Sequence, residues 1–378
     1  MAAVSDVRVL GVELRDFRTY ARAQAALGPG LTVVHGPNGA GKSNLLEALY
    51  FGCTARSPRT RNERELIRFE ADVTRVLVRC SDGAHEHELS VAYGAGPDGE
   101  RGVKRMSADG ANVERLLDVE FRPLIGVFEP DRLELIKGAP AARRAHLDQL
   151  VAGIWPLRAA QRREYSRVLA QRNALLARIR AGRASQATLA AWDRELAVAA
   201  IAVREHREAA VELLRNPFRE RAAQLGLSGE ALLSYKPRSR AIDVEAFVAE
   251  LQDRLPSDLE RGFSGHGPHR DELAVLRDGR ELRSYGSQGE QRLALLALLL
   301  AERTVLEQER GRTPLMLLDD VMSELDAERR ELLAGELSRG GQSVIATTDL
   351  AHVPGGGEAH VTRLRVSTGT ILQEALAA

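Results

Sequence analysis

Eight consecutive residues constrain this 378-residue chain more than any others: Gly36-Pro37-Asn38-Gly39-Ala40-Gly41-Lys42-Ser43. The pattern is G-x-x-x-x-G-K-S. Its glycines let the backbone curl so that successive N–H groups point inward at a phosphate. The lysine then reaches the β- and γ-phosphates, and the serine hydroxyl ligates Mg²⁺. The context fits. An apolar run at 31–34 precedes the loop, and Asn44-Leu45-Leu46-Glu47-Ala48-Leu49 continues it as a helix whose N-terminal dipole is aimed at the same anion. Composition sharpens the reading. Only four of 53 basic residues are lysine (Lys42, Lys104, Lys137, Lys236), so a motif that requires lysine rarely arises by chance here. The expected ligands are ATP and Mg²⁺, with residues 36–43 as nucleotide contacts and Lys42 also serving catalysis.

A second half of such a site lies far downstream. Leu315-Met316-Leu317-Leu318-Asp319-Asp320 reads as a buried strand ending in two carboxylates. Asp319 would reach the Mg²⁺ with Ser43, and Asp320 would orient or deprotonate the attacking water. Between the halves, Ser287-Gln288-Gly289 opens a helix and can face a second anion. With Glu290 it reads equally as a plain helix cap.

The chain alternates strand-rich and helical stretches. Runs at 7–14 and 31–34 read as strands, and those at 73–79 and 87–93 as a hairpin about Ser81-Asp82-Gly83, followed by a glycine-rich stretch at 94–102. Residues 140–216 are helical. Leu189, Trp192, Leu196, Ala199, Val203, His206, Ala210 and Leu213 alternate steps of three and four, a coiled-coil seam. Tyr165, Val168, Leu175 and Ile179 supply a facing helix, with a turn at Ala181-Gly182-Arg183, and Asn216-Pro217 should end the second helix. A hairpin about Asp278-Gly279 pairs 273–276 with 281–284. A helix at 288–309, a strand at 315–318, a helix at 327–337 and a strand at 343–347 follow. The expected division is a head of residues 1–115 with 265–378 and a helical arm of 116–264.

Charge narrows the partners. Lys plus Arg and Asp plus Glu are 53 each, which excludes a globally basic nucleic-acid binder but not a local basic face. Residues 157–183 hold eight arginines and one acid, a stripe that could follow a phosphate backbone or simply be a solvated coiled-coil face. With only 16 aromatic residues in the chain, base stacking is a poor route to affinity, and backbone charge contacts with weak sequence preference are expected instead. Two cysteines, Cys53 and Cys80, read as core residues. No apolar run approaches the roughly 20 residues of a membrane span, and residues 1–15 lack the apolar centre of a leader. A reduced, cytoplasmic protein without a membrane partner is expected.

In their order, the loop, Ser287-Gln288-Gly289 and Asp319-Asp320 resemble the ABC-type ATPase heads of the SMC family and its relatives. Further blocks are similar to the RecF family in particular. These are Leu14-Arg15-Asp16-Phe17-Arg18-Thr19-Tyr20, Asn44-Leu45-Leu46-Glu47-Ala48, Arg59-Thr60 with Glu65-Leu66-Ile67, Arg143-Arg144 with Leu147-Asp148, Gln171-Arg172-Asn173, Trp192-Asp193 and Gly267-Pro268-His269-Arg270-Asp271. The resemblance implies an α/β fold, a P-loop ATPase head with an inserted helical arm built as a short antiparallel coiled coil. It implies head-to-head dimerisation on ATP, slow hydrolysis and DNA binding at gaps or junctions. It also implies action with RecO and RecR to load recombinase, in repair, replication and the SOS response. His269 and Arg270 would lie near the ATP or dimer interface. Asp16, Glu272 and Glu290 depart from the family's usual Asn, Asp and Gln. No switch histidine directly follows the last strand, where Thr347-Thr348-Asp349 stands. A transporter cassette is the competing reading, but 276 residues and a heptad arm separate Lys42 from Asp319. An SMC-like tether would carry a far longer arm.

Overall fold

The computed structural model describes residues 7–94, 96 and 102–374, so most of the glycine-rich stretch at 94–102 lies outside the described residues. It divides into two compact units, residues 1–132 with 306–378, and residues 133–305.

The first unit is built on two sheets. One runs Thr370–Gln373, Thr362–Ser367, Leu31–His35, Ser343–Thr347, Leu315–Asp319, Ile125–Phe128, parallel except at the Thr370–Gln373 edge. Leu315–Asp319 and Ser343–Thr347 are buried at every residue. That is why they read as continuous apolar runs rather than alternating ones. The other sheet is antiparallel, in the order Tyr20–Ala26, Arg8–Phe17, Val73–Ser81, Glu86–Gly94, Val103–Ala108, Ala111–Asn112. Here Thr74, Val76, Val78 and Cys80 alternate inward. Helix Lys42–Thr54 packs on strands of both sheets and is buried nearly all round. Cys53 and Cys80 are free, buried thiols.

The second unit holds helices Pro140–Ile154, Ala159–Arg180 and Leu189–Gln224 and a three-stranded sheet in the order Arg280–Glu281, Glu272–Arg277, Ala231–Lys236. Ala159–Arg180 and Leu189–Gln224 pack along each other, and Gly182 between them takes φ +69°. The seam differs from the heptad reading. Asp193, Arg207 and Leu214 are buried where Trp192, His206 and Leu213 were expected, and these three are only half-buried. The helix also runs through Pro217 to Gln224. Burial of Phe218 and Ala222 on the packed face offsets the backbone hydrogen bond that proline removes. After Asp278-Gly279 the returning strand is only Arg280–Glu281, and residues 282–285 form a helical turn. Helix Gln288–Arg310 carries the chain between the units.

The boundaries expected at 115/116 and 264/265 do not coincide with this division. Ile125–Phe128 is hydrogen-bonded to Leu315–Asp319, which carries the first unit past residue 115. Glu272–Arg277 pairs with Ala231–Lys236, which keeps residues 265–305 with the helices.

The arginine stripe is partly internal. Arg172 is 0% exposed, with Nε donating to Asp193 at 2.7 Å and Nη1 to Asp258 at 2.8 Å and Ser264 at 2.7 Å. Arg162 donates to Asp148, Arg167 to Glu164, and Arg180 to the carbonyls of Glu260 and Arg261. Arg163, Arg178 and Arg183 stay exposed without a carboxylate partner among the described residues. His269 is likewise internal: its Nδ1 bonds the Tyr165 hydroxyl at 2.6 Å and its Nε2 donates to the Ser264 carbonyl at 2.9 Å. No helix of the described residues is long and apolar enough to cross a membrane.

Candidate nucleotide site

Strand Leu31–His35 delivers the loop 36–41, and helix Lys42–Thr54 leaves it. Gly36, Gly39 and Gly41 take φ of +149°, +76° and +116°. A Cβ on Gly36 would collide with the Val366 carbonyl oxygen, and one on Gly41 would press on the Tyr20 hydroxyl at 2.9 Å. Both positions therefore require glycine. The helix begins at Gly41 with no side-chain cap and no acid in its first turn, so no side chain of the chain's own competes for an anion there.

Lys42 is 7% exposed, and its Nζ donates to the carbonyls of Gly36 at 2.9 Å and Pro37 at 3.0 Å. No carboxylate among the described residues forms an ion pair with it. Burial draws its ammonium below the ordinary range, against the opposing pull of Asp319 and Asp320. Asp319 ends the buried strand two places along the sheet from the loop strand. Burial pushes its acid up, and a hydrogen bond from Ser43 opposes that. Asp320 follows at φ +50°, its N–H donating to the Ala346 carbonyl at 3.0 Å, and its Oδ1 is buried without a partner. The structure thus brings Lys42, Ser43, Asp319 and Asp320 together at the carboxyl end of one parallel sheet. The described residues hold no cluster of three or more His, Cys, Asp or Glu fit for a metal. A cation here would depend on Ser43, Asp319 and ligand oxygens, which suits Mg²⁺.

Comparison with known proteins places the chain in a family. The family described as "RecF/RecN/SMC N terminal domain" matches residues 8–353. The DNA replication and repair protein RecF of Myxococcus xanthus is 36% identical over 353 residues, covering 90% of each chain. That of Anaeromyxobacter is 38% identical over 365 residues, covering 91% of this chain and 93% of the other. The chain belongs to the RecF family. A solved structure of the recombination mediator protein RecF with ATP, from the RecFOR pathway, is 27% identical with a TM-score of 0.88 over 99% of each chain. The Smc head domain of Pyrococcus furiosus shares the fold, with a TM-score of 0.57 at 17% identity over 98% of this chain and 97% of that one.

Several residues singled out in the sequence acquire physical roles around the loop. The turn at 16–20 braces it from behind: the Tyr20 hydroxyl donates to the Gly41 carbonyl at 2.9 Å, and Asn44 donates to Thr19 at 3.0 Å. Asp16 sits at φ +48°, a left-handed position that Asn or Asp tolerates. Glu47, 0% exposed and one turn beyond Ser43, takes Arg18 in a two-pronged pair at 2.9 and 2.8 Å and Arg59 at 3.3 Å. The positive charge of Arg59 also draws the acid of Asp319 down, against the larger upward push of burial.

Glu129 was not singled out in the sequence. It follows strand Ile125–Phe128, whose Phe128 is in register with Leu318, so Glu129 and Asp319 end neighbouring strands. It is 3% exposed, its Oε1 has no partner, and burial pushes its acid up to about 7. A short apolar run closing on an acid, the same form as 315–319, was the available signal.

Ser287, Gln288 and Gly289 belong to the other unit. Glu290 donates its N–H to the Ser287 hydroxyl at 3.3 Å, and the Ser287 N–H donates to the Glu290 carboxylate at 2.8 Å, a capping box. Arg277 pairs with Glu290 and offsets its charge. A Cβ at Gly289 would meet nothing within 4 Å, so the helix start is open on that side.

Proposed function

We propose that this chain is an ATP-gated DNA clamp of the RecF type. The observation that carries the reading is the buried Lys42, whose Nζ has, among the described residues, only the loop's own carbonyls as partners, beside an uncapped helix start. Residues 36–43 cradle the phosphates with backbone N–H groups, and Lys42 moves from the carbonyls to the β- and γ-phosphates. Ser43 and Asp319 would hold Mg²⁺, which supplies charge neutralisation on the phosphoryl oxygens when bound. Asp320, with an unpartnered carboxylate oxygen, orients the attacking water and accepts its proton.

Ser287-Gln288-Gly289 closes on the ATP of a second copy, so that a homodimer forms on ATP and slow hydrolysis dissolves it. The two-fold arrangement follows from one copy of each motif per chain. Nucleotide state thereby sets the grip on DNA at gaps or junctions. The family resemblance adds RecR and RecO as partners, recombinase loading, support of the SOS response and a cytoplasmic setting.

Asp320→Asn tests the catalytic half. The variant should bind ATP like wild type, turn it over far more slowly and accumulate as ATP-bound dimer. Unchanged turnover would move the water-positioning role to another residue.

A further inference from the structure

Tyr285 is 68% exposed, in a chain with few aromatic residues. The Arg280 guanidinium lies over its ring, 5.9 Å from the centroid. No carboxylate among the described residues pairs with Arg280. Both line an open groove of about 630 Å³, together with Lys236, Leu276, Glu281 and Ser284. That volume suits a ligand of nucleotide size.

Charge in the groove is positive on balance. Glu281 is shared between Lys236 at 2.7 Å and Arg283 at 3.8 Å, and Arg280 remains over. Asp278, at the hairpin tip, is engaged elsewhere, its Oδ1 accepting the Glu230 N–H at 2.8 Å. A flat aromatic face open to solvent beside a cation with no carboxylate partner suits a base stacked on the ring and a phosphate held at the edge. Duplex DNA keeps its base faces covered by stacking, so the ring selects an unpaired base.

We propose that this groove binds single-stranded DNA, with Tyr285 stacking one base and Arg280 holding a flanking phosphate. The inference rests on the reading of the chain as a DNA-binding protein and gives that reading a site. Gly286 alone separates Tyr285 from Ser287, so a strand seated here borders the segment assigned to ATP-dependent closure.

The test is fluorescence anisotropy of a labelled oligo-dT with the full chain, ATP and Mg²⁺. Wild type is compared with Tyr285→Ala, Tyr285→Leu, Tyr285→Phe and Arg280→Gln. A stacking base predicts a loss of about five- to a hundred-fold for Tyr285→Ala. Tyr285→Leu, which keeps apolar bulk without a flat face, should lose a similar amount, and Tyr285→Phe should stay within about two-fold of wild type. Arg280→Gln should weaken binding and reduce the slope of log affinity against log salt by about 0.7. ATP affinity by calorimetry should be unchanged in all four.

Equal oligo-dT binding by wild type and Tyr285→Ala overturns the proposal. So does a fall in ATP affinity with oligo-dT binding intact, which assigns the groove to a free nucleotide. A wild-type chain that binds neither single-stranded nor duplex DNA overturns the DNA reading itself, a failure distinct from the first two.

Discussion

Replacing Glu129 with glutamine keeps the shape of the protonated acid and removes its titration. Glu129 is buried at the end of strand Ile125–Phe128, and burial moves its acid from the ordinary 4.5 to about 7, with Asp319 and Glu47 adding to the rise and Arg132 and Arg59 opposing it. The native state thus keeps a proton over a range in which the unfolded chain has released it. That contribution to stability is complete below about pH 4.5 and is lost as pH rises through about 7. At about 1.4 kcal/mol per pH unit the window amounts to about 3 kcal/mol. Glu129→Gln should match wild type near pH 4.5 and be more stable by about 3 kcal/mol near pH 8. Denaturant melts of both proteins across this range measure the difference, and subtraction cancels groups the two share, including Glu290, whose acid is lowered by its bond from the Ser287 N–H. Stability curves that stay parallel from acid to alkali would refute the buried, protonated carboxyl.

Two further substitutions probe the loop and its bracing. Lys42→Ala should abolish tight ATP binding while leaving the fold intact; equal affinities by calorimetry would remove the phosphate-loop assignment. Glu47→Ala should cost about 2–4 kcal/mol in thermal or denaturant unfolding, because Arg18 and Arg59 lose a buried partner; an unchanged midpoint would show that the clamp carries no stability.

The phosphate loop was legible because it depends on rare local chemistry: glycines at fixed offsets and a lysine in a chain that otherwise uses arginine. Strand Leu315–Asp319 and helix Gln288–Arg310 were legible because burial on all sides leaves an unbroken apolar run. What was missed depends on contacts distant in sequence. Arg172 looks like surface charge until Asp193 and Asp258 are folded around it. Glu47 sits in an ordinary helical stretch, and only Arg18, 29 residues away, and Arg59, 12 away, reveal its role. Ile125–Phe128 is four residues long, too short to separate from its surroundings by period, so the head was drawn too short at residue 115. Pro217 is a strong local stop signal that tertiary packing overrides. The one-residue error at two seam positions has the same origin: buried ion pairs put Asp193 and Arg207 where a pattern of apolar residues does not look.

Mass by light scattering, with and without ATP and Mg²⁺, tests the shared-site dimer most directly. Wild type should double its mass on adding ATP and Mg²⁺. Ser287→Arg places a bulky cation at the contact proposed for the dimer, so it should bind ATP nearly normally, keep the monomer mass and fail to hydrolyse ATP or hold DNA stably. A Ser287→Arg chain that doubles its mass like wild type would make Ser287 the helix cap seen in its capping box and nothing more, and the shared ATP site would be wrong.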